Sequence, residues 1–308
     1  MNFSNHIKDF FKRTDKITWL ISITISVMSL VLLMSVSRTS HNYFKTQLIS
    51  IIIGYIGAVI IANTDYKVLC KHWKWIAGIC ILLIIYTLFF GKAVQGNSGV
   101  DARAWLLLPG GITFQPSELV KIGFIITFSK HLSFLNENNK IKDFTQVAFL
   151  ALHAAVPMVL THLQGDDGAA IIFFFMFITM SFIAGVQLRY FIIIFALILL
   201  LVPFLWKYVF AEYQKQRLIC QLNPESDPLG MGFQQIQGKL SIGSGGLFGQ
   251  GLFNGPRVGY EVVPIQESDF IFSVVGEELG FIGCIAVVLL LLGLCLRSLR
   301  IGSLSPDR

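Results

Sequence analysis

The chain has 308 residues, 54% of them hydrophobic and 14% charged, with 24 Lys and Arg against 18 Asp and Glu for a net charge of +6. A soluble domain carries about 25% charged residues, so this composition, with a mean hydropathy of +0.68, excludes an ordinary soluble enzyme and points to an all-α polytopic membrane protein. The basic balance does not imply nucleic-acid binding, because no basic, aromatic-interleaved soluble module is present.

Apolar runs long enough to cross about 30 Å of hydrocarbon predict eight transmembrane helices, at 17–36, 46–62, 75–91, 116–133, 144–163, 168–185, 190–208 and 270–296. The first run is too long for a signal-peptide core and lacks a small-residue cleavage site, so it is expected to remain as an anchor. Lys and Arg in the short loops set the orientation. Lys8, Lys12, Arg13 and Lys16 precede the first span, and Lys67, Lys71, Lys74, Lys130, Lys140, Lys142, Arg189, Arg297 and Arg300 fall on the same side. A multi-pass cell-membrane protein follows, with residues 1–16 and the tail 297–308 in the cytoplasm. Two long segments, about 92–115 and 209–268, are then extracytoplasmic, and the whole reads as one membrane domain. The five cysteines have no metal spacing and read as small apolar packing residues.

Charged residues close to membrane spans normally face a partner or a water-filled cavity. In "GVDARAWLLLPGG", Arg103 and Trp105 suit either an interfacial anchor or a site holding a phosphate and a sugar face. In "FQPSELVK", Pro116 fits the first turn of a helix. Glu118 and Lys121, three apart, share a helical face; they either pair together or set the Lys against an anionic ligand. In "QGDDG", Asp166 and Asp167 occupy a break between two spans, as solvated turn residues or as part of a site.

The segment 209–268 is long for a plain connection. It contains "FQQIQGKLSI", which reads as an amphipathic helix carrying Lys239, and then "GSGGLFGQG". No Lys-Ser/Thr follows, as a P-loop requires. The glycines serve tight turns and close backbone approaches, or present N–H groups to a pyrophosphate or sugar. An ordered cap is expected. "PIQESDFIFSVVGEELG" then leads into the last helix. Asp269, Ser273 and Glu277 are spaced by four and predict one polar stripe, with Glu278 beside it. At the helix start, Asp269 is expected to accept helix N–H bonds and stay ionised, which suits a base.

"YQKQRLICQLNPESDPLGMGFQQIQGKLSIGSGGLFGQGL" followed by "VPIQESDFIFSVVGEELGFIG", together with "AWLLLPGGITFQPSELVK" and "LQGDDGAA", resembles the SEDS family (shape, elongation, division and sporulation) of the RodA/FtsW type. The resemblance runs from about residue 15 to residue 300. It implies a peptidoglycan glycosyltransferase that polymerises lipid II, an undecaprenyl-pyrophosphate disaccharide peptide, beside a class B penicillin-binding protein. Asp269 falls on the family's essential acid. Trp105 matches the Trp of the first outer loop, Glu118 and Lys121 its functional pair, and Arg217 the basic residue opening the large loop. Asp166 matches the family acid, with Gly165 in place of Pro.

Some positions depart from the family pattern. Ala104 precedes the Trp where the family has Arg, and Ile265 and Glu267 stand at the family's Glu and His positions. The family normally has ten spans, so this chain is expected to lack the last two. In the mechanism this implies, Asp269 is general base to the acceptor hydroxyl. Arg103, Lys121, Arg217 and Lys239 stabilise the leaving pyrophosphate. A divalent cation near the acidic residues is a candidate cofactor, and Glu277 and Glu278 support the helix. The alternatives are a flippase of the same lipid and an inactive scaffold for the penicillin-binding partner. Clustering of charge at the outer ends of spans, not at the midplane, weighs against the flippase. Elongation, division and sporulation are not distinguished.

Overall fold

The computed structural model describes residues 14–37, 43–92, 103–107, 113–208 and 212–305. In chain order the helices are α1 (Lys16–Val36), α2 (Tyr43–Asn63), α3 (Tyr66–Lys71), α4 (Trp73–Phe90), α5 (Pro116–Glu137), α6 (Phe144–Leu163), α7 (Asp167–Ile183) and α8 (Leu188–Tyr208). They continue with α9 (Glu212–Leu222), α10 (Phe233–Ser244), α11 (Pro256–Gly259) and α12 (Ile271–Leu304). Two short strands, β1 (Leu106–Leu107) and β2 (Thr113–Phe114), pair antiparallel, Leu106 opposite Phe114. Lys8, Lys12, Arg13 and much of the 92–115 segment lie outside the described residues.

The fold is all-α and built for a membrane. Among the described residues α1, α2, α4, α6, α8 and α12 are long and apolar enough to cross one. The other two predicted spans are also helices. Of these, α7 has 17 residues, and α5 carries Glu118, Lys121, Lys130 and Glu137 along its length. The chain divides into two compact units, residues 64–210 and residues 1–63 with 211–308.

In the unit 64–210, an aromatic core forms where helices α5, α6 and α7 meet. Phe124 stacks on Phe128 at 5.0 Å and meets Phe173 edge-on at 5.4 Å. Phe128, Phe173 and Leu150 are fully buried there. Offset and edge-to-face geometries are those the ring quadrupole favours. Pro116 opens α5 in its first turn with Glu118 close behind, as "QPSE" predicts.

In the other unit, α1 packs on α12 through Leu32, Val36, Val274, Val275 and Cys284, with Val258 of α11 joining them. Asp15 begins α1 by accepting from the Thr18 N–H at 2.9 Å and the Thr18 hydroxyl at 2.7 Å. The same carboxylate receives Arg297 Nε at 2.9 Å and Nη2 at 2.5 Å from α12. Nearer the other ends of the two helices, the Ser35 hydroxyl donates to Glu278 Oε1. The two helices are therefore antiparallel and tied by a polar contact at each end.

Candidate functional site

Ahead of α12, residues 212–270 hold three short helices and a 3-10 turn. "FQQIQGKLSI" lies in α10 (Phe233–Ser244), and α9 and a 3-10 turn at Pro224–Ser226 precede it. Arg257 ties α11 to α10: its Nε donates to Ser241 Oγ at 3.1 Å and its Nη2 to Gln237 Oε1. Arg257, Gln237 and Ser241 carry no motif signal, and sequence reasoning passes over them.

The last helix differs from its prediction in three ways. It runs to Leu304, beyond the expected end, and it is broken at Gly280, whose φ of 68° and ψ of −164° are not helical. Only glycine adopts this region without strain. The break leaves four backbone groups without helical partners, and the glycine-rich run takes them. Gln250 N donates to Glu277 O at 2.9 Å and Gly251 N to Glu278 O at 3.1 Å. Phe281 N donates to Gly246 O at 2.9 Å and Ile282 N to Leu247 O at 3.2 Å. A Cβ on Gly280 would stand 2.7 Å from Leu247 O. The glycines therefore serve close backbone approach, and the N–H groups of residues 249–251 are spent inside the protein.

The third difference concerns Asp269. It is not the cap of α12: the N-cap is Phe270, which makes no side-chain cap bond. Asp269 lies in the turn before the helix, exposed, so the stripe Asp269–Ser273–Glu277 does not run down one helix. Among the described residues its carboxylate receives one hydrogen bond, from the Ser268 hydroxyl at 3.3 Å.

The neighbouring carboxylates are committed elsewhere. Glu277 is fully buried. Its Oε1 accepts from the backbone N–H of Arg257 at 2.7 Å and of Val258 at 3.4 Å, so it holds the start of α11. Glu278 is buried and receives Ser35. Glu267 is hydrogen-bonded to Tyr43. Ser273 is buried and donates to Phe270 O at 2.6 Å. Arg217 on α9 and Lys239 on α10 are exposed.

In the unit 64–210, Asp166 caps α7: its Oδ1 accepts from Ala169 N at 3.0 Å and its Oδ2 from Gln115 Nε2 at 2.6 Å. Asp167 pairs with His162 at 2.6 Å. Gln164 is buried, donates from Nε2 to Ile84 O at 2.7 Å, and accepts from Arg103 N at 2.9 Å through its carbonyl. Trp105 O accepts from Lys92 N at 2.8 Å. The "QGDDG" turn, the Arg103–Trp105 segment leading into β1 and the head of α5 thus meet in one hydrogen-bonded corner. Gln115 and Gln164, which organise it, are missed from sequence; a glutamine at the end of each apolar run is the only signal. Glu118 and Lys121 pair at 2.7 Å, with Glu118 59% exposed and Lys121 16%.

Among the described residues no three His, Cys, Asp or Glu side chains converge to hold a metal ion. The acidic residues at the start of α12 engage separate partners: Glu267 Tyr43, Asp269 Ser268, Glu277 the start of α11 and Glu278 Ser35.

A family model described as "Cell cycle protein", that of the FtsW, RodA and SpoVE proteins, matches residues 13–308. The chain is 31% identical over 284 residues to peptidoglycan glycosyltransferase MrdB of Escherichia coli, covering 92% of this chain and 74% of that one. It is 32% identical over 317 residues to a probable peptidoglycan glycosyltransferase FtsW of Geobacter metallireducens, covering 100% and 82%. Among solved structures, a chain from a study of the structural coordination of polymerization and crosslinking by a peptidoglycan synthase complex superimposes with a TM-score of 0.77. It is 28% identical and is covered over 79% of its length, against 95% of this chain. The rod shape determining protein RodA of Thermus thermophilus shares the fold, with a TM-score of 0.65 and 24% identity over 95% of this chain and 76% of that one.

Proposed function

The chain belongs to the SEDS family of FtsW/RodA/SpoVE cell cycle proteins, and from that premise we propose that it is a peptidoglycan glycosyltransferase that polymerises lipid II with Asp269 as general base. One observation carries the choice of residue. Of the four carboxylates between 264 and 280, Glu277 and Glu278 are buried in structural bonds and Glu267 engages Tyr43, while Asp269 stays exposed at the mouth of α12. It is the carboxylate free to meet a hydroxyl.

The acceptor sugar hydroxyl loses its proton to Asp269 as its oxygen attacks the anomeric carbon of the donor. The bond to pyrophosphate breaks, and the departing oxygens need cationic stabilisation in place of a general acid. In the unit of Asp269 the candidates for that role are Arg217 and Lys239. In the unit 64–210 we assign Lys121 and Arg103 to binding the anionic part of the lipid-linked substrate, with Trp105 against a sugar face and Glu118 orienting Lys121. Asp166 acts at one remove, by holding Gln115 and the head of α7. The positive-inside pattern puts the N-terminus in the cytoplasm and the 209–268 segment outside. Similarity to a chain of a peptidoglycan synthase complex supports work beside a class B penicillin-binding protein.

The test is polymerisation of purified lipid II by the reconstituted chain, read as glycan length on a gel. Polymer from the wild type and none from Asp269→Asn is the expected result. Translocation of a labelled lipid II across vesicles without polymer would overturn it in favour of a flippase.

A further inference from the structure

The polar contacts between α1 and α12 mark two levels along the membrane-crossing part of this unit. From Ser35–Glu278 to Asp15–Arg297 the helices advance about 28–30 Å, at about 1.5 Å per residue. That is the thickness of a hydrocarbon core, about 30 Å. The break at Gly280 lies at the first of these levels, so the uninterrupted apolar helix begins at Phe281.

The glycine-rich turn is bonded to the helix just beyond that level. Phe281 N and Ile282 N donate to Gly246 O and Leu247 O, which sets Leu247 and Phe248 beside the first apolar turn of the span. All of these side chains are exposed: Leu247 63%, Phe248 79%, Phe281 57% and Ile282 53%. No charged side chain lies from Gly245 to Gly249. The carbonyls of Gly245, Gly246 and Leu247 accept from Gly249, Phe281 and Ile282.

We propose that the turn 245–249 is an interfacial wedge, with Leu247 and Phe248 inserted among the lipid acyl chains of the leaflet at the Asp269 end of α12. The occupant is lipid because the apolar tip continues the exposed apolar face of a membrane-crossing helix at the same level. Apolar side chains of interfacial elements enter about 5–10 Å into the boundary, which one turn of α12 below Gly280 matches. The wedge fixes the height of everything bonded to it. Residues 271–279 then stand beyond the hydrocarbon, and Asp269 is held about 10–15 Å above its edge, at the outer limit of the headgroup layer. The inference rests on α12 as a membrane helix and is independent of the catalytic reading.

The experiment uses the unmodified chain in phosphatidylethanolamine–phosphatidylglycerol vesicles doped with a phospholipid bearing a diazirine in mid-acyl chain. After irradiation and digestion, label is expected on the peptide holding Leu247 and Phe248, within about threefold of that on the peptide 281–289. Tyr260, 83% exposed in the same unit, should stay unlabelled. Label on 281–289 with none on 245–253 would overturn the wedge and leave the tip facing water or a protein partner. A second reading comes from Phe248→Cys carrying a nitroxide in a background without native cysteines: oxygen should reach it better than a water-soluble nickel chelate. The reverse order overturns the proposal.

Discussion

The Ser35 hydroxyl donates to Glu278 Oε1, joining α1 to α12 between residues 243 positions apart in sequence. Both residues are buried, Ser35 at 3% and Glu278 at 1% exposure. A carboxylate at this depth stays in place only with donors to hold it. Ser35→Ala removes one such donor and should cost about 1–2 kcal/mol. Thermal unfolding in detergent measures it. Because Ser35 bonds Glu278, whereas the hydrogen bond to Asp269 comes from Ser268, activity per folded molecule should change little.

Glu277 holds a different element. Its Oε1 receives the Arg257 and Val258 N–H groups at the start of α11, and a Cβ on Gly255 would lie 3.0 Å from that oxygen. Glu277→Gln keeps the acceptor and should be tolerated within about 1 kcal/mol. Glu277→Ala should cost about 2–3 kcal/mol by leaving the two N–H groups without their partner. Limited proteolysis between residues 250 and 262 should speed up in the Ala variant and not in the Gln variant. Equal cleavage of the two would show that Oε1 does not hold this segment.

The other end of the α1–α12 pair responds to acid. Arg297's hydrogen bonds first, then those of the Thr18 hydroxyl and N–H, hold the Asp15 carboxyl well below the usual carboxylate range. A lowered folded-state pKa means the stabilisation is complete above the unfolded value, about 3.9. It fades as pH falls from there toward the folded value. The difference in melting temperature between wild type and Asp15→Asn should therefore be constant from pH 6 to 8 and shrink below about pH 4. A gap that widens in acid would contradict the assignment.

How much of this is legible in the sequence varies with the range of the cause. Helix α10 can be read from "FQQIQGKLSI", and the head of α5 from "QPSE", because periodicity and first-turn chemistry are local. The eight helical positions follow from apolar length alone. The break at Gly280 is not legible: glycine sits in "EELGFIG" with no proline to mark it, and its conformation is imposed by residues 245–251 from elsewhere in the chain. For the same reason Asp269 reads as a cap from sequence, although the turn leading into Ile271 leaves that place to Phe270. Buried Gln164 and the Asp15–Arg297 pair are long-range contacts without a motif.

Glu118 and Lys121 illustrate how exposure decides a magnitude. The pair is close, at 2.7 Å, but Glu118 is 59% exposed. Solvent screens such a pair, and its worth is about 0–1 kcal/mol. Glu118→Gln, Lys121→Met and the double variant should each melt within about 1 kcal/mol of wild type. A large fall in glycan polymerisation without loss of stability would then assign the pair to substrate. A destabilisation above about 3 kcal/mol would mean the pair is a structural one.

Asp269 carries the most exposed claim. As a base it must be ionised, reachable and uncommitted, and among the described residues its one hydrogen bond comes from Ser268 at 3.3 Å. It caps no helix, so Asp269→Asn removes basicity without removing a structural bond. The variant should insert, fold and melt like wild type. Positioned general-base help is worth about 10²–10⁴-fold, so polymerisation should fall at least a hundredfold. Asp269→Glu keeps the charge but moves it about one methylene, and should retain more activity than the Asn variant at every pH tested. Binding to a penicillin-binding partner should be unchanged in both. If a well-folded Asn variant makes polymer at near wild-type rate, the proton goes elsewhere. Glu267, the nearest carboxylate in sequence and hydrogen-bonded to Tyr43, is then the next group to replace.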